Sequence, residues 1–181
     1  MSKNELQKIF DNTPAKSYKE KITHIEQYLI SIADEVNEEL GEKEGIVFSK
    51  PGDETRLVYP DMWEYKHSFG DGVYVREMKM KKGQLGFSAI HKHSYAFFLL
   101  EGTLASSKEE CVEEFIAPCY IISPRGAKRV VYAMEDCTIV TVHANPTNTE
   151  DLSEIEKINV LFSWDEYDEY LKNQKNEKNN K

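Results

Sequence analysis

The stretch GQLGFSAIHKHSYAFFLLEG, residues 83–102, decides the fold of this 181-residue chain. It contains two short β-rich runs, LGFSAIH and YAFFLLE, and a glycine stands at each end. The same pattern of β-rich runs and turn residues extends from Ile46 to Ala144 and includes IVFS, RLVY, VYVREMKM, TLAS, EEFIA, CYIIS, RVVYAM and TIVTVHA. About ten short strands separated by regular turns predict an antiparallel sandwich or barrel.

The spacing within this stretch resembles the first motif of the cupins, which reads Gly, five residues, His-x-His, three or four residues, Glu, six residues, Gly. In this register Ala89 stands at the first His position, His91 at the second and Tyr95 at the Glu position. The second cupin motif contains Pro-x-Gly-x-x-His, and here residues 124–126 are followed by Arg129 at the His position. The resemblance implies a mainly β, cupin-type antiparallel barrel or jelly roll in which one of four metal ligands remains.

A second register takes residues 91–93 as the His-x-His pair. Phe97 or Phe98 then falls at the Glu position, and the closing glycine comes two residues early. The first register is preferred because it keeps both glycines. In either register, residues 89, 91, 93 and 95 share one face if the strand is regular.

Two kinds of site follow from these residues. His91, His93 and His143 could form a three-histidine site for Zn, Fe, Mn or Ni. The fixed charge of Arg129 argues against a cation, so absence of any cofactor is the first expectation. Arg129, together with Tyr95, suits a carboxylate or phosphate ligand; Arg129 would alternatively pair with a buried carboxylate such as Glu77 or Glu101.

The run from Ala117 to Glu156, APCYIISPRGAKRVVYAMEDCTIVTVHANPTNTEDLSEIE, is similar to small cupin-like proteins encoded by tailed bacteriophages. That resemblance implies a phage gene context and virion structural proteins as partners. It assigns no activity.

The chain divides into four segments. Residues 1–45 form an N-terminal arm and helix, 46–146 the barrel, 147–172 a C-terminal helical segment and 173–181 a disordered tail. Helical spacing predicts an amphipathic helix over residues 17–40, with an apolar stripe at Ile22, Ile25, Leu29, Ile32, Val36 and Leu40. Capping-box patterns occur at Ser17 with Glu20 and at Ser163 with Glu166.

The segment MWEYKHSF, residues 62–69, is polar and aromatic. We expect Trp63, Tyr65 and Phe69 to pack under a long loop and His67 to lie at the surface.

Charge and composition exclude several classes of function. The net charge of -9 disfavours nucleic-acid binding, and neither a basic amphipathic helix nor an apolar run of roughly 20 residues points to a membrane. The N-terminus lacks a secretion signal, which predicts the host cytoplasm or the virion as the location. The three cysteines fit no zinc spacing and are expected to be reduced.

Three functions remain open. The first is a non-catalytic, virion-associated or assembly-associated module with a degenerate metal site. The second is a metal-dependent dioxygenase or isomerase that uses the histidine cluster. The third is a pocket protein for a small anion. Long antiparallel edges and the extra N-terminal segment predict a homo-oligomer in each case.

Overall fold

The computed structural model describes residues 2–28, 63–109 and 111–179. Within these residues, eleven antiparallel strands are present. Their bounds are β1 Glu64–Gly70, β2 Gly72–Met80, β3 Leu85–Phe87, β4 Ile90–His91, β5 Tyr95–Glu101, β6 Thr103–Ser107, β7 Val112–Ile116, β8 Cys119–Ser123, β9 Val130–Ala133, β10 Cys137–Asn145 and β11 Val160–Leu161. The predicted strands IVFS and RLVY lie outside the described residues.

The strands form two main sheets that enclose a core. A five-stranded sheet has the order β1-β2-β10-β5-β8, and a four-stranded sheet has the order β3-β9-β6-β7. A small third pairing joins β11 to β4. The predicted mainly β, antiparallel jelly-roll class is confirmed.

The alternation in β10 determines which side chains enter the barrel. Cys137, Ile139, Thr141 and His143 are buried at every second position, while the residues between them are half-buried. Because alternate strand residues share a face, these four side chains point between the two sheets. Across β2, the register places Thr141 opposite Arg76.

The strand β1 was not predicted. The strands predicted from the sequence include none at residues 62–69, whereas Glu64–Gly70 pairs along its whole length with β2. His67 is half-buried, and its Nδ1 lies 2.7 Å from the Tyr74 hydroxyl.

Two N-terminal helices cover the outer face of the four-stranded sheet. The first, α1, spans Lys3–Asn12, and residues 18–28 form the second, α2. Their apolar side chains share one core with the outward residues of the sheet, comprising Leu6, Phe10, Ile22, Ile25, Leu85, Phe87, Ala105, Val112, Val130 and Tyr132. The predicted helix therefore packs on its own barrel; Leu29, Ile32, Val36 and Leu40 lie outside the described residues.

A buried ion pair fastens α2 to the barrel. Lys128 Nζ lies 2.5 Å from Glu26 Oε2, and the two side chains are 5% and 10% exposed. The Tyr18 hydroxyl donates to the Lys128 carbonyl at 2.7 Å and lies 3.1 Å from the Ser107 hydroxyl. Polar anchors therefore reinforce the apolar contact at this helix.

The C-terminal segment follows β10. Helix α3, Leu152–Asn159, begins at its N-cap Asp151, and helix α4 spans Trp164–Asn179. The predicted capping box is present, since Ser163 Oγ accepts from Glu166 N at 3.2 Å and Glu166 Oε2 accepts from Ser163 N at 3.1 Å.

Helix α4 continues into the segment predicted to be a disordered tail. Residues 173–179 are helical, although this segment has no apolar stripe and three of its seven residues are asparagine. None of the described helices is long and apolar enough to cross a membrane.

Candidate functional site

A cavity of about 140 Å³ lies between the two sheets. The five-stranded sheet contributes Arg76 and Thr141 to its wall, and the four-stranded sheet contributes Ser106 and Val131. Most of the remaining wall is apolar, and it includes the aromatic residues Trp63, Tyr65, Phe97, Phe115 and Phe162. Such a cavity, with a few polar groups in an apolar lining, has the character of a small-molecule site.

Two arginines bring fixed positive charge into the cavity. Arg129 Nη1 donates to the Ser107 carbonyl at 3.0 Å, and the Arg76 guanidinium lies 5.9 Å from the centre of the Tyr65 ring. The Nε atoms of both arginines are buried and have no hydrogen-bond partner among the described residues. Since a buried polar group without a partner is costly, these donors are suited to a ligand.

The described lining also contains one carboxylate, Glu156, and several hydroxyl groups, including that of Thr141. Thr141 Oγ1 is buried and has no hydrogen-bond partner among the described residues. Two guanidiniums and one carboxylate therefore give the described part of the lining an excess of positive charge.

Two buried imidazoles and a phenol stack at one end of the site. His91 and His143 have ring centroids 5.4 Å apart with an interplanar angle of 11°, and the Tyr95 ring lies 4.0 Å from His91 and 4.9 Å from His143. Of these three side chains, His91 and Tyr95 line the cavity.

The pKa values of both histidines are depressed. Burial lowers the pKa of His91 well below 6.5, and the charges of His143, Arg76 and Arg129 lower it further. Burial and then Arg76 lower the pKa of His143 to about 3. Both imidazoles are therefore neutral near pH 7, and the electrostatic potential at the two rings is positive.

The structure separates His93 from the other two predicted histidines. A bend at residues 92–94 interrupts the strand between β4 and β5, so the alternation of side chains does not continue from His91 to His93. His93 is exposed, and its ring contacts Tyr170 of α4 edge-on at 6.4 Å. Of the predicted trio, His91 and His143 lie together and His93 lies elsewhere.

In the preferred register, the residues at all four metal-ligand positions of the two motifs line this cavity. They are Ala89, His91, Tyr95 and Arg129. The predicted ligand-binding pair, Tyr95 and Arg129, is thus at the cavity wall.

The residues present do not fit a metal ion. The rings of His91 and His143 are stacked nearly parallel, whereas ligands of one ion aim their nitrogens at a common point. No three His, Cys, Asp or Glu side chains in the described part of the chain are grouped to hold a metal. The two guanidiniums would also repel a cation.

Arg76 and Thr141 were not singled out from the sequence. Arg76 has the same strand parity as Tyr74, Met78 and Met80, and both Tyr74 and Met80 are buried. A permanently charged residue on the apolar face of a strand is the signal that could have found it.

The C-terminal segment closes the cavity on one side. Strand β11 pairs with β4, which places Val160 opposite His91. Val160, Phe162 and Glu156 all line the cavity. The segment after the barrel is therefore part of the site.

The strand order, the inward alternation and the shared cavity define a cupin-type barrel. Solved structures similar to it include KdgF from Halomonas sp., at 13% sequence identity over 51% of this chain and 84% of that chain, with a TM-score of 0.43. A cupin-2 domain containing protein from Shewanella frigidimarina has 16% identity, coverages of 46% and 81%, and a TM-score of 0.40. Ectoine synthase from P. lautus has 17% identity, coverages of 47% and 64%, and a TM-score of 0.42.

No protein-family model matches the chain, and no curated protein sequence matches it. Structural likeness at these identities and TM-scores carries no argument about activity. The function must therefore be argued from the cavity.

Proposed function

We propose that this protein binds a small anion inside its barrel, with Arg76 and Arg129 as the recognising groups. The observation that carries the proposal is the pair of buried guanidinium Nε atoms without a hydrogen-bond partner among the described residues. Both arginines line the cavity, so an anion there would accept from their guanidinium groups, and charge-assisted hydrogen bonds of this kind are the strong ones. Tyr95 lies in the same wall and offers a phenolic hydroxyl.

The test is thermal unfolding of the full chain in the presence of an anion panel. A ligand at 100 times its Kd stabilises a protein by about 2.7 kcal/mol, and a chain of this size gains about 2–4 °C per kcal/mol. We expect at least one anion to raise the melting temperature by several degrees. Arg129→Met should remove the rise, and Arg125→Met, at an exposed arginine, should leave it unchanged. A panel in which no anion raises the melting temperature would refute the proposal.

A metal-dependent enzyme is the weaker alternative, because the histidines are stacked and the arginines repel a cation. Elemental analysis of the purified protein tests it directly. Stoichiometric metal that is lost in His91→Ala would revive the enzyme reading.

The phage origin and the virion or assembly role remain predictions from the resemblance of residues 117–156. Fractionation of particles from a host that carries the gene would test them. A virion proteome without this chain would count against both.

The homo-oligomer also stays a prediction, and the outer face of β5 and β8 is the surface we propose for it. Leu100, Tyr120 and Ile122 are 48%, 69% and 64% exposed there, and β8 lies at the edge of its sheet among the described strands. Ile122→Lys should lower the mass measured by light scattering to that of one 21.0 kDa chain. A wild-type mass of one chain would refute the oligomer.

A further inference from the structure

The size and the apolar lining of the cavity indicate the chemical class of the proposed ligand, in addition to the sign of its charge. A cavity of about 150 Å³ holds a molecule the size of benzene. The cavity here measures about 140 Å³, and much of its wall is aromatic. An inorganic anion would make no contact with that apolar wall. The volume of the cavity and its lining therefore both favour a ligand with a flat apolar ring.

Aromatic rings approach the space from both sheets. Phe97 of β5 and Phe115 of β7 have ring centroids 6.4 Å apart and tilted by 50°, which leaves no room for another ring between them. A ligand ring would therefore lie beside this pair. Trp63 closes that region, because its ring packs against Gly86 so closely that a Cβ there would lie 2.3 Å from it.

Thr141 is one strand away from Phe97, and Arg76 is one strand beyond Thr141. Thr141 pairs with Arg76 on one side and with Phe97 on the other. Directly opposed residues on neighbouring antiparallel strands have Cβ atoms about 4.5–5.5 Å apart. A carboxylate held at Arg76 and Thr141 therefore places a directly attached ring beside Phe97.

We propose that the ligand is a monocyclic aromatic carboxylate of about the size of benzoate. Its carboxylate accepts from Arg76, Arg129 and the Thr141 hydroxyl, and its ring packs beside Phe97 and Phe115. This inference rests on the proposed function of the site and gives the anion its chemical class.

The experiment is isothermal titration of the full chain with four probes. Benzoate carries both ring and charge, benzamide carries the ring without the charge, acetate carries the charge without the ring, and inorganic phosphate is an anion with no apolar part. We expect benzoate to bind at least about tenfold more tightly than each of the others, and tenfold corresponds to about 1.4 kcal/mol. Against benzamide, one charged hydrogen bond supplies that much. Against acetate and phosphate, burial of the ring supplies it, since burying a side chain such as Phe contributes about 1.5–3 kcal/mol.

Two variants separate the ring contact from the charge contact. Phe97→Leu should weaken benzoate binding about 3–10-fold, because an aromatic pair contributes about 0.5–1.5 kcal/mol beyond its buried area. Acetate should be unaffected by that change. Phe98→Leu is the matched control, since Phe98 follows directly on β5 and faces the other side of the sheet, where its ring contacts Tyr120. The second variant is Thr141→Val, which keeps the shape of the side chain and removes the hydroxyl that the carboxylate would accept from. It also serves as the test if Phe97→Leu fails to fold.

The outcomes distinguish this inference from the proposed function. If acetate or phosphate binds as tightly as benzoate and Arg129→Met removes that binding, the aromatic class is refuted and the anion site stands. If none of the probes binds, the aromatic class is refuted, and the anion panel in the unfolding assay decides the site. If benzamide binds as tightly as benzoate, the anion site itself is refuted.

Discussion

Removal of the carboxylate of Glu26 tests how the N-terminal helices are held to the barrel. Glu26→Gln keeps the shape of the side chain and leaves the ammonium group of Lys128 buried without its partner. The two side chains are 10% and 5% exposed, and their charged atoms are 2.5 Å apart. Breaking a buried ion pair from one side costs about 3–5 kcal/mol, because the remaining charge has lost its compensation.

That cost is a large part of the stability of an ordinary domain, which is about 5–15 kcal/mol. The assay is urea unfolding followed by circular dichroism. A matched control is Glu113→Gln, which breaks the exposed pair with Lys108, where the side chains are 37% and 52% exposed. Exposed pairs contribute about 0–1 kcal/mol, so the control should shift the midpoint little.

A double variant completes the test. Glu26→Leu with Lys128→Met removes both charges, and apolar replacement of a buried pair is often neutral or stabilising. We therefore expect the double variant to be more stable than Glu26→Gln alone. If Glu26→Gln costs no more than Glu113→Gln, the pair does not hold the helix and the reasoning is refuted.

Three further predictions follow from burial. The pKa of His143 is near 3 when folded and about 6.5 when unfolded, so the unfolded state takes up a proton first and stability falls as the pH drops from about 6.5 towards 3. At pH 5 the loss from this residue is about 2 kcal/mol, and His143→Asn should flatten the pH dependence of the urea midpoint; an unchanged slope contradicts it. Gly86→Ala should destabilise by about 1–3 kcal/mol and shift the Trp63 fluorescence, because the new Cβ meets the indole ring, whereas Gly70→Ala, with open space at its Cβ, should do neither. Burial raises the pKa of Cys137 to about 11, so mass spectrometry after iodoacetamide treatment at pH 8 should find it unlabelled until urea unfolds the chain; labelling in the native state would contradict this.

The parts of the fold that depend only on neighbouring residues could be predicted from the sequence. The alternation in β10 and the capping box at Ser163 are present as predicted, because they depend only on neighbouring residues. At Ser17 the side-chain oxygen accepts from Glu20 N as predicted, while Glu20 Oε2 accepts from Lys16 N. Strand β1 had the same kind of signal, with Trp63, Tyr65 and His67 at every second position. Its polar residues obscure that signal, because a strand with one solvated face has this composition.

The position of His93 could not be predicted from its own surroundings. No glycine or proline marks the bend at residues 92–94. The bend occurs where the chain pairs with β11, and Lys92 N donates to the Asn159 carbonyl at 2.9 Å. A contact between residues 67 positions apart determines the local geometry, and such contacts leave no periodic trace in the sequence.

The chemistry of this site depends on residue types at positions that the barrel brings together. A cupin-type barrel directs side chains from the two motifs to one interior point, whatever those side chains are. Imidazoles and a carboxylate there would create a site for a cation. With Arg129 at one of these positions and Arg76 entering from β2, the same convergence would create the anion site that we propose, because neither guanidinium can lose its charge. The neutral state of His91 agrees with this, since both arginines depress the pKa of its imidazole. The fold therefore predicts where the ligand lies, and the two arginines predict the sign of its charge.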